Sequence, residues 1–212
     1  MIGIIDYGMG NLFSVSKALE RLGASYFISE YRQELREASA LILPGVGSFR
    51  DAMARLNDTG LTDMVKEYVQ SGRPLLGICL GMQLLFEESE ENGLTKGLAL
   101  LPGKVHRFPG ITEQGETYKV PHMGWNKLNL AAPSPILENI TGGFVYFVHS
   151  YYVSPGERDV VIAETDYDVK VPAVVGRGNV YGMQFHPEKS GALGMQLLHN
   201  FVTLNGSLSF AG

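Results

Sequence analysis

A chain of 212 residues that is 45% hydrophobic and 18% charged can bury a substantial core without disulfides or metals, and its composition excludes a disordered polymer. Its net charge of −5, with no cluster of Lys and Arg, argues against nucleic acid or an anionic membrane as the partner. No Gly/Ser/Pro-rich linker or internal repeat divides it, so residues 1–212 read as one domain.

Cys79 is the one cysteine, which rules out an internal disulfide and fits a reducing compartment. Met1-Ile2-Gly3-Ile4-Ile5-Asp6 lacks a basic leader and is interrupted by Asp6, so it does not read as a signal peptide. No apolar run approaches the roughly 18–20 residues that span a bilayer. The expected address is the cytoplasm. The dense charge block Glu87, Glu88, Glu90 and Glu91 reads as a solvated loop after a helix.

In chain order, Ile2–Asp6 reads as a buried strand, and Asn11–Leu22 as a helix with Leu12, Val15, Ala18, Leu19 and Leu22 on one face. Ser25–Ile28 is a second strand. Ala40–Leu43 is a third, ending in Pro44-Gly45-Val46-Gly47. Helices follow over Phe49–Leu56 and Leu61–Gln70, then a strand over Leu75–Ile78 and a helix from Leu80 to about Glu88. Strands alternating with helices predict an α/β fold with a mostly parallel central sheet flanked by helices. The second half changes pattern. Phe144–His149, Val160–Glu164, Ala173–Val175 and Val180–Phe185 read as strands with few helices between them, so an antiparallel extension of the sheet is expected. A helix over Lys189–Leu204 closes the pattern.

Ligands of parallel sheets sit beyond the carboxyl ends of the strands, and the chemistry-bearing residues cluster there. Gly77-Ile78-Cys79-Leu80-Gly81 falls at a strand-to-helix junction. Glycines two residues either side of a nucleophile allow a tight, strained turn that lifts the side chain out of the sheet. A thiol at a helix start is favoured as thiolate, and the N–H of Leu80 would point toward an oxyanion. The bland alternative is a buried structural cysteine. A thiol nucleophile needs a base, and His186-Pro187-Glu188 offers one. Residues two apart in extended chain share a side, so Glu188 can bind one imidazole nitrogen while the other faces Cys79. Alone, His-Pro-Glu would be better read as structural; the Cys79 elbow changes that. His106, His122, His149 and His199 show no metal-ligand spacing, so no metal or cofactor is assigned. The Gly45-Val46-Gly47 turn can supply a second oxyanion donor. Gly8-Met9-Gly10-Asn11 lacks the third glycine of a dinucleotide fingerprint, since residue 13 is Phe13.

The elbow Gly77–Gly81 with Met82 and Gln83, together with His186-Pro187-Glu188, resembles the class I, triad-type glutamine amidotransferases. Four segments resemble one branch of that family, the glutaminase subunits of imidazole glycerol phosphate synthase in histidine biosynthesis. They are Asp6-Tyr7-Gly8-Met9-Gly10-Asn11, Pro44-Gly45-Val46-Gly47, Pro121-His122-Met123-Gly124-Trp125-Asn126 and His186-Pro187-Glu188-Lys189-Ser190. The resemblance runs from residue 1 to about 204. It implies Cys79, His186 and Glu188 as catalytic residues and Gly47 and Leu80 as oxyanion donors. It places Gly45, Gln83, His149, Ser150 and Tyr151 around a glutamine substrate. It also implies a cyclase partner with a (β/α)8 barrel, bound as a heterodimer, with Asn11, Trp125 and Lys189 facing it. From the residues alone, Trp125 would be read as a core aromatic. Three rivals stay open: a glutaminase serving another synthase, such as the pyridoxal phosphate one; a stand-alone cysteine hydrolase; and a thiol sensor without catalysis.

Overall fold

Apolar runs too short for helices become strands buried on both faces, and segments with one apolar stripe become the helices that cover them. The computed structural model describes residues 1–204. The first half runs β1 (Ile2–Ile5), α1 (Leu12–Arg21), β2 (Tyr26–Ser29), α2 (Arg32–Arg36), β3 (Ala40–Gly45), α3 (Phe49–Asp58), α4 (Leu61–Gln70), β4 (Leu75–Cys79) and α5 (Leu80–Leu84). The second half is mostly strand: β5 (Glu88–Ser89), β6 (Thr95–Lys96), β7 (Gly103–Arg107), β8 (His122–Leu130), β9 (Gly143–His149), β10 (Tyr151–Pro155), β11 (Val161–Tyr167), β12 (Val169–Arg177) and β13 (Val180–Met183), then α6 (Gly191–Thr203).

The main sheet has the order β2-β1-β3-β4-β13-β12-β11-β8-β9. β2, β1, β3, β4 and β13 run parallel, and the remaining four extend the sheet antiparallel. A smaller sheet, β10-β7-β5-β6, is not hydrogen-bonded to it but shares its core through Val105 and Val153. The strand period of two splits the core. Ile4, Ile42, Leu76 and Ile78 pack toward α1 and α6, against Val15, Leu19, Leu197 and Phe201. Ile5, Leu41, Leu43 and Leu75 pack toward α3 and α4, against Phe49, Leu56, Leu61 and Tyr68. All these side chains are almost wholly shielded from water. Removing one, as in Leu41→Ala, would cost roughly 2–5 kcal/mol. Asn11 and Ser48 start α1 and α3 by accepting the backbone N–H groups of Ser14 at 3.2 Å and Asp51 at 3.2 Å. Among the described residues no helix is long and apolar enough to cross a membrane.

Two sequence expectations need correction. The helix after Cys79 stops at Leu84 instead of reaching Glu88. The carbonyls of Leu84, Leu85 and Phe86, which a longer helix would use internally, accept from Leu98, Leu100, Leu101 and Ala99 instead. The acidic block is likewise not a merely solvated loop. Glu88 sits in β5 and pairs with Lys104 at 2.5 Å. Glu87 accepts Gly103 N–H at 2.8 Å, Glu90 accepts Arg107 N–H at 3.1 Å, and Glu91 accepts Phe49 N–H at 2.8 Å.

Candidate active site

The carboxyl ends of β3 and β4 meet the start of α5, and no side chain fits between them. A Cβ on Gly81 would lie 1.8 Å from the carbonyl oxygen of Leu43, and one on Gly77 would lie 2.5 Å from that of Gly81. A Cβ on Gly45 would lie 2.9 Å from the Gly81 nitrogen. The three glycines therefore let the turn close, and the strain falls on the residue at its apex. Cys79 has φ 55° and ψ −113°, a conformation that costs a non-glycine residue about 1–3 kcal/mol and persists only where the surroundings enforce it. The parallel registers Leu43↔Gly77 and Gly45↔Cys79 supply that enforcement.

β13 pairs parallel with β4, Met183 opposite Ile78, so the chain leaving β13 arrives beside Cys79. There the His186 Nδ1 meets Glu188 Oε1 at 2.9 Å, with both side chains almost fully buried. The pair is made by a turn rather than by the extended chain expected: Pro187–Lys189 forms a single 3-10 turn, which brings Glu188 back onto the ring. Burial alone would lower the His186 pKa. Hydrogen bonding and charge interaction with Cys79 and Glu188 outweigh it and raise the value to about 9. The partners thus favour the protonated ring over the neutral one. Glu188 Oε2 is buried with no hydrogen-bond partner among the described residues.

Cys79 and His186 open into a cavity of about 410 Å³, also lined by Val46, Gly47, Leu80, Gln83, Glu91, Pro121, Val148, His149, Ser150 and Tyr151. Gln83 donates from Nε2 to the Tyr151 carbonyl at 2.9 Å and to Gln184 Oε1 at 3.1 Å. Gln184 is fully buried and turns its own Nε2 toward the Cys79 sulfur at 3.9 Å. Behind the turn, the Tyr7 hydroxyl donates to the Pro44 carbonyl at 2.9 Å. Burial, and secondarily the charge of Cys79, raise its pKa and keep it a donor. The cavity thus brings the Cys79 thiol and the His186 imidazole together beside the backbone of Gly47 and Leu80. That combination suits acyl transfer to sulfur.

The family model for class-I glutamine amidotransferases matches residues 3–204. The imidazole glycerol phosphate synthase subunit HisH of Geobacillus kaustophilus is 68% identical over 95% of this chain and 96% of its own length. The subunit of that name from Bacillus subtilis is 58% identical over 96% of each. The chain belongs to the class-I glutamine amidotransferases. A crystal structure of a glutamine amidotransferase, 23% identical, superposes with a TM-score of 0.74 over 95% of this chain and 96% of that one. The PurLQS structure from Thermotoga maritima superposes at 0.67 with 20% identity, covering 95% and 96%. Both carry the same fold.

In this amidotransferase the expected residues separate into three groups. Cys79, His186, Gly47, Leu80, Gln83, His149, Ser150 and Tyr151 line one cavity, and Glu188 stands directly behind His186. Gly45 is absent from the cavity wall and packs against Tyr7 and Leu80 instead. Trp125 is exposed and meets Tyr146 edge-on, so it is no core aromatic. Lys189 is exposed, and Asn11 is the cap of α1. Sequence reasoning missed Glu91, Pro121, Val148 and Gln184 at the site. Gln184 carried a usable signal, lying two residues before His186 on a run otherwise apolar. Glu91 carried none, because it reaches the cavity through the loop between β5 and β6.

Proposed function

We propose that this chain is the glutaminase subunit of an imidazole glycerol phosphate synthase and hydrolyses glutamine to glutamate and ammonia. The observation that carries the reading is the meeting of the Cys79 elbow with the buried His186–Glu188 pair at one cavity. The Cys79 thiolate attacks the side-chain carbonyl carbon of glutamine, and the carbonyl electron pair moves onto oxygen. The N–H groups of Gly47 and Leu80 receive that oxyanion. His186 gives its proton to the amide nitrogen, the carbon–nitrogen bond breaks, and ammonia leaves a glutamyl thioester. His186, now neutral, takes a proton from water as the water attacks the thioester. Glutamate leaves, and the thiolate–imidazolium pair is restored. Glu188 keeps the ring in the orientation that serves both steps.

The relatives are subunits of a synthase, and the reading gives this chain a partner of the same kind. That partner is a cyclase with a (β/α)8 barrel. It uses the ammonia to make imidazole glycerol phosphate and an aminoimidazole carboxamide ribotide. Exposed Met123, Trp125 and Phe144 form the apolar part of the docking face, with Lys189 and Asn11 as its polar members. A reducing compartment such as the cytoplasm suits the free thiol. The test is glutamate release by the chain alone, with the cyclase, and with the cyclase and its ribotide substrate. Glutamate release that rises with the partner and vanishes in Cys79→Ala supports the reading. Turnover that survives Cys79→Ala removes it.

A further inference from the structure

Two buried histidines, His149 on the cavity wall and His122 behind it, form a donor chain that the triad does not use. His122 and His149 face each other directly across β8 and β9. His149 Nδ1 lies 2.8 Å from the Tyr151 carbonyl oxygen. A carbonyl can only accept, so Nδ1 carries the proton and Nε2 is left with its lone pair. His122 Nδ1 lies 3.0 Å from that Nε2 and must therefore be its donor. The remaining His122 Nε2 then accepts from Asn126 Nδ2 at 3.2 Å. Asn126 sends its second amide proton to the Asp166 carbonyl at 2.9 Å and accepts Lys127 N–H at 2.8 Å. Every position is determined, and from Asn126 through His122 and His149 to the Tyr151 carbonyl each donor points along one direction.

The chain ends on the oxygen that also receives Gln83. With the Tyr151 carbonyl holding one proton from His149 and one from Gln83, both its lone pairs are filled. The other Gln83 amide proton goes to Gln184. The amide is therefore held one way round. Both hydrogens are engaged in the wall, and Oε1, which accepts from no described residue, is left to the cavity that Gln83 lines. His122 is itself clamped flat between the rings of Phe147 at 4.6 Å and Tyr167 at 4.0 Å, which fixes the direction of its nitrogens.

We propose that His122 and His149 are positioning residues for the substrate pocket: the donor chain from Asn126 to the Tyr151 carbonyl locks the Gln83 amide with its oxygen toward the cavity, where it takes an N–H donor of the substrate such as an α-ammonium group. This rests on the glutaminase reading. Asn126 adjoins exposed Trp125 on β8, so the chain also ties the docking face to the pocket wall.

The test uses the chain with its cyclase partner and measures glutamate release over a glutamine series, beside the rate at which iodoacetamide alkylates Cys79. His122→Phe keeps a stacked ring and removes both nitrogens. His149→Leu removes the donor to Tyr151, whereas His149→Asn keeps an amide N–H near the Nδ1 position. His122→Phe and His149→Leu should raise KM for glutamine roughly three- to tenfold, the worth of one hydrogen bond, with kcat within about twofold. Alkylation should be unchanged, and His149→Asn should recover part of the KM loss. An unchanged KM in His122→Phe and His149→Leu overturns the proposal, as does a fall in kcat matched by slower alkylation. Should His149→Leu not fold, His122→Phe alone decides by the same criterion. A wild-type complex that releases no glutamate removes the glutaminase reading instead, and this inference with it.

Discussion

Cys79 sits at φ 55° and ψ −113° with a Cβ, so the protein holds strain at the proposed nucleophile, and substituting that residue should expose it. Comparing Cys79→Gly with Cys79→Ala isolates the backbone, because both lack the sulfur and both are inactive. At an ordinary buried position the glycine protein is the less stable by about 1 kcal/mol, because glycine loses more chain entropy on folding. Here glycine also releases the backbone strain, about 1–3 kcal/mol. Taking the middle of that range, glycine should be the more stable by about 1 kcal/mol, a reversal of the usual order. In a domain of this size that corresponds to a melting temperature about 2–4 °C higher in Cys79→Gly than in Cys79→Ala. Thermal and urea unfolding of the two proteins would read it directly. Should Cys79→Gly melt at or below Cys79→Ala, the strain is not stored at this residue, and the account of why Gly45, Gly77 and Gly81 surround it loses its basis.

Three further outcomes follow from the same geometry. Gly81→Ala places a Cβ 1.8 Å from the Leu43 carbonyl oxygen, and backbone cannot yield as a side chain would; the variant should lose more than about 3 kcal/mol in urea unfolding and all glutaminase activity. Glu188→Gln removes a negative partner that raises the His186 pKa, so that value should fall from about 9, as read from the pH dependence of Cys79 alkylation; glutamate release should drop roughly a hundredfold, a smaller loss than in His186→Ala. Stability should also peak near pH 6.5. His186, raised from 6.5 to about 9, contributes stability that is full below pH 6.5 and lost as pH rises through 9. His122 and His149 are lowered from 6.5 by burial, to about 4 and about 3, so their contribution is full above 6.5 and lost as pH falls toward those values. Melting curves across pH 4–10 would show both limbs, and His122→Phe should flatten the acid one.

The sequence by itself determined the parts governed by neighbours along the chain. Strands β1, β3 and β4 and helices α1, α3 and α4 are legible because each carries its apolar run or period within about ten residues. The elbow is legible in part for the same reason, since Gly77 and Gly81 lie within two positions of Cys79, whereas the need for Gly45 appears only where β3 pairs with β4. Tertiary structure alone decided what depends on distant partners. Leu85 to Glu88 continue an amphipathic pattern and read as helix, but the segment around Leu98–Leu101 captures their carbonyls, and no local signal announces that competition. Short strands such as β5 and β6 exist only because β7 pairs with β5. The Pro121–Asn126 motif reads as a run of identities, whereas its place in β8 opposite β9 turns His122 into the donor of His149. Sequence spacing indicated that Glu188 serves His186, but the 3-10 turn set how, by folding the carboxylate back onto Nδ1. Local periodicity encodes elements, and only packing decides which side chain, 27 or 101 residues away, completes a buried group's hydrogen bonds.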